Sequence, residues 1–182
     1  MSGVSIALLG ISGVGKSTFL NVLGEKVAFK HAQASSLIKD QIRREASEGA
    51  TSEELRLGNT NDNQRLLVSA YRRLIATTED RVILDAHAII DKDTHVDKVE
   101  IDVFRQLGFD LLIVLVADPK AIVQRRSEDN RRTRPQLQTS EISKHQNLSN
   151  DHAISIASKL GIPCVIVSSE QVEFVAMLLS QF

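Results

Sequence analysis

The sequence has one cysteine, Cys164, in 182 residues. An internal disulfide is therefore impossible, and thiolate clusters for zinc have no ligands. A reducing, cytoplasmic setting is expected. Three prolines, no tryptophan and the absence of a low-complexity tract argue against disorder. Long apolar runs are missing as well. Stretches such as Leu111 to Ala117 are far too short to span a bilayer, so no membrane partner is expected. Met1-Ser2-Gly3-Val4 leads straight into an apolar strand without a basic region and a long apolar stretch, which speaks against a secretory signal. Neither sign of charge dominates. At a net charge of −1, no general attraction to nucleic acid or membrane is expected. No repeat or composition break marks a second domain, and the length suits one domain with a sizeable core.

What is present begins at Gly10-Ile11-Ser12-Gly13-Val14-Gly15-Lys16-Ser17-Thr18. It follows the apolar run Ile6-Ala7-Leu8-Leu9 and precedes a helix-compatible segment. This is G-x-x-x-x-G-K-[ST] in the strand–loop–helix setting of a P-loop. Gly10, Gly13 and Gly15 let the loop bend and bring N–H groups close to phosphate oxygens. The helix that starts near Lys16 points its positive end at the same anion. Lys16 is expected to reach the β- and γ-phosphates, and the Ser17 hydroxyl to bind Mg²⁺. Val14 and Thr18 complete the nucleotide-binding stretch. A glycine turn with a surface lysine is the weaker reading of nine matching residues.

The rest of the chain alternates. Val4–Leu9, Val27–Phe29, Val82–Leu84, Leu111–Val116 and Cys164–Val167 read as strands. Helices are expected over Ser17–Leu23, Ser35–Ser47, Asp62–Thr77, Val96–Leu107, Pro119–Arg126, Ser140–Leu160 and Glu170–Leu179, with a further turn at Ser52–Leu57. Short apolar strands between helices imply an α/β protein with a parallel sheet covered on both faces. Such sheets bind ligands at the carboxyl ends of their strands. The glycine loop, Asp85 and Asp118 all fall there.

Asp85 closes Val82-Ile83-Leu84. A carboxylate beside the phosphates can hold Mg²⁺ or its waters. His87, two residues on, suits a role beside the acceptor or those waters, or a structural one. Arg125-Arg126-Ser127-Glu128-Asp129-Asn130-Arg131-Arg132-Thr133-Arg134 carries five arginines in ten residues. A solvated charged face is one reading. Nucleic-acid binding is disfavoured, because no aromatic residue is interleaved for stacking and Glu128 and Asp129 cut the charge. A phosphate clamp is favoured, since phosphoryl transfer is catalysed mainly by positioned cations. Further absences narrow the class. There is no Asn-Lys-x-Asp for reading guanine, no glycine in the turn after Asp85, and no paired aspartates where the second strand ends in Phe29-Lys30-His31.

At these residues the chain resembles the archaeal-type adenylate kinases, a compact branch of the nucleoside monophosphate kinases. The likeness lies in Gly10–Thr18, in Ile83-Leu-Asp-Ala-His87, in Arg125–Arg134 continuing through Thr139–Ile142 to His145-Gln146, and more loosely in Leu55-Arg56 with Asn63-Gln64-Arg65. It implies a three-layer α/β/α sandwich on a five-stranded parallel sheet, the P-loop NTPase fold of the nucleoside monophosphate kinase type. One kinase domain would occupy 1–182, with acceptor-nucleotide helices in 35–77 and a short arginine-rich lid at 127–138. The implied activity is γ-phosphoryl transfer from ATP to AMP, giving two ADP, with Mg²⁺. Lys16, Arg132 and Arg134 would be catalytic and Arg125 would lie against the adenine of ATP. Ser17 and Asp85 would serve the metal, and Lys39, Arg56 and Gln64 the acceptor, with His87 beside them. A homo-oligomer is compatible with the likeness, since family members often form homotrimers. Two departures stand out: Pro135 follows the last lid arginine where an acidic residue is usual, and Ala32–Ser36 lacks the usual glycine-threonine. Two other readings stay open, a kinase of another small acceptor and a nucleotide-dependent ATPase switch acting with a protein partner.

Overall fold

The computed structural model describes residues 3–46, 54–55, 58–92, 95–129 and 137–182. Five strands form one parallel sheet: β1 (Ser5–Leu9), β2 (Lys30–Gln33), β3 (Val82–Asp85), β6 (Leu111–Val116) and β7 (Cys164–Ser168), in the order β2-β3-β1-β6-β7. The helices are α1 (Lys16–Gly24), α2 (Ala34–Ala46), α3 (Thr60–Ala76), α4 (Ile101–Leu107), α5 (Pro119–Glu128), α6 (Thr139–Leu160) and α7 (Val172–Leu179). Residues in β1 alternate between two cores. Ala7 and Leu9 pack with Ile38, Leu67, Tyr71 and Phe104 on the α2–α3–α4 side. Ile6 and Leu8 pack with Phe19, Leu20, Ile122 and Val175 on the α1–α5–α7 side. α6 feeds both cores, through Ala153 and Ile156 to the first and Ile142 to the second. The result is the expected three-layer α/β/α sandwich. The chain runs from β1 outward to β2, returns through β3, and continues to β6 on the other side of β1. The crevice at the carboxyl end of β1 is thus the topological switch point, where such sheets bind ligands.

Local chemistry sets several boundaries. Pro119 opens α5 and the Asp118 side chain accepts from Lys120 N at 2.8 Å, an N-cap with proline at the first position. Gly108 and Gly161 close α4 and α6 in the left-handed conformation, as glycine after a helix does. Glu141 and Gln138 form a capping box at the start of α6. Burial pushes the Cys164 thiol pKa up, as suits a packed, unreactive cysteine.

The structure corrects two expected elements. The second strand is Lys30–Gln33, not Val27–Phe29. Val27 and Phe29 pack against the α1-side core instead, and ladder bonding begins with Lys30 N to Arg81 O at 2.7 Å. β2 is an edge strand in which Ala32 alone is buried, so it lacks the apolar run of an inner strand. It ends at Gln33, beyond the expected Phe29-Lys30-His31. The segment Val96–Leu107 is not one helix. Val96–Lys98 is a strand, β5, paired antiparallel with β4 (Ile89–Asp91), and α4 begins only at Ile101. Val99 N bonds Ala88 O at 3.0 Å, which closes the hairpin base. β-Branched Val96 and Val99 suit a strand, and cross-strand pairing overrides their helical spacing. The last expected helix, Glu170–Leu179, opens as a 3₁₀ turn over Ser169–Gln171 before α7. Of the turn expected at Ser52–Leu57, Glu54 and Leu55 are described and helical. Among the described residues no helix is long and apolar enough to cross a membrane.

Candidate nucleotide site

The site is built on the loop between β1 and α1. Gly13 and Gly15 sit at φ 86° and 109°, where a side chain would be strained. Space is a second reason for glycine. A Cβ on Gly13 would lie 3.0 Å from Arg126 Cγ, and one on Gly15 3.3 Å from Arg125 Nη1. Both arginines come from the last turn of α5 and close directly on the loop. Arg126 Nε donates to Ser12 O at 2.9 Å and Arg125 Nη1 to Val14 O at 2.8 Å. Ile11 O accepts from Val14 N at 3.2 Å. In a trans peptide the C=O of one residue and the N–H of the next point in opposite directions. Arginines that hold the Ser12 and Val14 carbonyls therefore turn the Gly13 and Gly15 N–H groups the other way. That is the arrangement an anion cradle needs. α1 begins at this point with no acidic residue in its own first turn to offset the positive end of its dipole.

Lys16 is 7% exposed. Its Nζ donates to Gly10 O at 2.8 Å, lies 3.6 Å from Asp85 Oδ1 and is 3.4 Å from His87 Nδ1. His87 Nδ1 is 2.7 Å from the same Gly10 carbonyl, so the ring carries its proton on Nδ1 and donates there. Gly10, Lys16, Asp85 and His87 thus meet at the ends of β1 and β3, which pair in register Leu8 to Asp85. Ser17 and Thr18 lie exposed in the first turn of α1. Ser17 hydroxyl and Asp85 carboxylate are hard oxygen donors, the chemistry that Mg²⁺ takes. His87 Nδ1 thus faces the glycine loop.

Lys39 and Gln64 stand on other elements. Lys39 is half-buried on α2 and Gln64 buried on α3. These two helices are tied together by Arg73 Nη2 donating to Gln41 Oε1. The β4–β5 hairpin holds the beginning of α3. Thr60 Oγ1 donates to Asp97 Oδ2 at 2.6 Å, and Lys92 Nζ donates to Gly58 O at 2.7 Å. The Thr60 hydrogen bond, aided by His95 and Lys92, outweighs desolvation and holds the Asp97 carboxyl below its ordinary pKa. Arg56, Arg132 and Arg134 lie outside the described residues, as does most of the expected lid.

One group behind the loop, Asp91, was not singled out from the sequence, and Gln146 was named there only as part of the family-like stretch. Gln146 both accepts from Ala117 N and donates to Ala117 O, each at 3.1 Å, locking α6 to the end of β6. Asp91, at the end of β4, lies 3.4 Å from Arg126 Nη1 and 3.6 Å from His145 Nδ1. Its partners are 35 and 54 residues away, and no local pattern announces them.

The profile of the AAA domain family matches residues 9–143, from the end of β1 into α6. This chain belongs to the AAA domain family. Curated relatives of this AAA-domain chain bear out the likeness to archaeal adenylate kinases. The adenylate kinase of Thermoplasma acidophilum is 25% identical over 165 residues, 90% of this chain and 88% of that protein. That of Methanoculleus marisnigri is 25% identical over 177 residues, covering 93% and 92%. That of Thermococcus onnurineus is 28% identical over 158 residues, covering 84% and 79%. Among solved structures, a gluconokinase from Sinorhizobium meliloti 1021 matches this AAA-domain fold with a TM-score of 0.52 at 14% identity. The match covers 96% of this chain and 87% of the gluconokinase, and the likeness is one of fold.

Proposed function

We propose that this chain is a nucleoside monophosphate kinase, an adenylate kinase that transfers the γ-phosphoryl group of ATP to AMP and yields two ADP. The observation that carries the reading is the loop Gly10–Lys16, whose Ser12 and Val14 carbonyls are held outward by Arg126 and Arg125 while Lys16 and Asp85 meet at 3.6 Å beside it. The relatives named adenylate kinase, matched over most of their length, support the same conclusion.

In this reading the Gly13 and Gly15 N–H groups and the start of α1 receive the ATP phosphates. Lys16 leaves the Gly10 carbonyl for the β- and γ-phosphates, and His87 keeps that carbonyl bonded. Ser17 and Asp85 would hold Mg²⁺, which would supply positive charge against the phosphate oxygens. Arg125 lies against the adenine side of the loop. Arg132 and Arg134, from the 127–138 lid, add the cations that transfer demands. Lys39, Arg56 and Gln64, within 35–77, orient the acceptor. The acceptor is already a phosphate oxygen, so no covalent intermediate on the protein and no ionised side-chain base is required. The whole chain acts as one kinase domain in the cytoplasm on free nucleotides.

The test is a coupled assay for ADP with ATP, Mg²⁺ and each nucleoside monophosphate in turn. ADP formation dependent on AMP is expected. Dependence on a different monophosphate would move the acceptor. Hydrolysis of ATP that no monophosphate changes would overturn the kinase reading in favour of an ATPase switch.

A further inference from the structure

The glycine loop needs its amides held in one direction before the nucleotide arrives. Arg126 does this through Ser12 O, but an arginine on a short helix end has many rotamers. What fixes it is a second bond. Its side chain is 7% exposed, with Nε on the Ser12 carbonyl and Nη1 toward Asp91 Oδ2 at 3.4 Å. One planar fork serves both acceptors at once, which a lysine ammonium at the end of a flexible stem does not match. Asp91 is itself anchored. It closes β4, and the next residue, Lys92, bonds Gly58 O while Asp97 on the opposing strand takes Thr60. His145 Nδ1, from α6, stands 3.6 Å from the same Asp91 oxygen. A half-buried carboxylate at the end of a paired strand therefore meets basic groups from two helices behind the loop.

We propose that Asp91 is a positioning residue for ATP binding: it holds Arg126 on the Ser12 carbonyl and thereby keeps the Gly13 N–H turned into the phosphate cradle. The inference rests on reading Gly10–Thr18 as the ATP site and is independent of the acceptor. It also gives the β4–β5 hairpin a task. The hairpin links the donor loop, through Asp91, to the start of α3, through Lys92 and Asp97.

Equilibrium binding of Mg·ATP to the full chain, by titration calorimetry, tests it. Asp91→Asn is expected to raise the Kd for ATP about tenfold, the scale of a charge-assisted hydrogen bond. Arg126→Gln should do the same or more. The double variant should be no weaker than Arg126→Gln alone, because the two act in series. Asp91→Glu should recover most of the affinity. Arg126→Lys keeps the charge and the apolar stem, so it guards against a folding defect; it should still weaken ATP binding while its thermal midpoint stays near that of the wild type. The amide ¹⁵N–¹H signal of Gly13 should shift in Asp91→Asn before any nucleotide is added, a change that a merely structural role does not require. Unchanged ATP affinity in Asp91→Asn and Arg126→Lys, or losses that add in the double variant, would overturn the proposal. A wild-type chain that binds ATP but makes no ADP from AMP would sink the acceptor reading and leave this test intact. A wild-type chain that binds no ATP overturns both.

Discussion

The two sides of the proposed site are held by different kinds of bond. On the donor side the partners are main-chain carbonyls. Gly10, Ser12 and Val14 are each bonded by a basic side chain from elsewhere in the fold. On the proposed acceptor side, α2 and α3 are tied side chain to side chain by Gln41 with Arg73, and Thr60 at the start of α3 meets Asp97 of β5 in the same way. A site made of backbone tolerates few changes within the loop itself, because the loop's dihedrals are the binding surface. A site made of side chains on helix faces can be respecified one residue at a time. The difference predicts a conserved chemistry on one side and an adjustable specificity on the other.

The largest break in this contrast should come from Lys16→Ala. Losing the cation that meets both Asp85 and the loop should cut kcat by roughly 100- to 1000-fold, the scale for removing a group that stabilises transition-state charge. The variant should keep its circular dichroism spectrum, and near-normal ADP formation would contradict the donor assignment. Next is Gly13→Ala. The new Cβ meets Arg126 Cγ at 3.0 Å on a residue with φ 86°. A left-handed backbone alone costs about 1–2 kcal/mol. ATP affinity should fall at least tenfold, with a lower thermal midpoint; unchanged ATP binding would show that the arginines do not shape the loop. The smallest effect should be Gln64→Leu, which conserves the bulk of a buried side chain on α3. The KM for AMP should rise by about five- to tenfold, as for one hydrogen bond, with the ATP Kd unchanged. An equal loss on the ATP side would make Gln64 a packing residue and blur the division.

The same contrast explains what could be read from the sequence. The donor loop was legible because its function needs contiguous glycines, a lysine and a hydroxyl in fixed order. Asp85 was legible as a carboxylate closing an apolar strand. Inner strands announced themselves because both faces are buried, as in Leu111–Val116. β2 did not, since an edge strand with one buried residue has no apolar run. The β4–β5 hairpin was misread because Val96, Val99 and Val103 satisfy a helical period as well as a strand. Asp91 and Arg126 meet only in three dimensions, and neither carries a local signal of the other.

Behind α3 lies one further contact, with a practical meaning. Tyr71, on α3, is fully buried, and its hydroxyl meets Ser5 Oγ of β1 at 2.8 Å. It is the chain's one tyrosine, and there is no tryptophan. Its ultraviolet absorption and emission therefore report a single junction, the seam between α3 and the central strand, without any introduced label. Burial, only partly offset by the Ser5 bond, raises its pKa to about 12 from 10.0. The stability it lends is complete below pH 10 and fades as pH climbs through that interval. Tyrosinate absorbance that appears near pH 10 would then mark molecules in which this seam has already opened, giving an optical readout of local unfolding between α3 and β1.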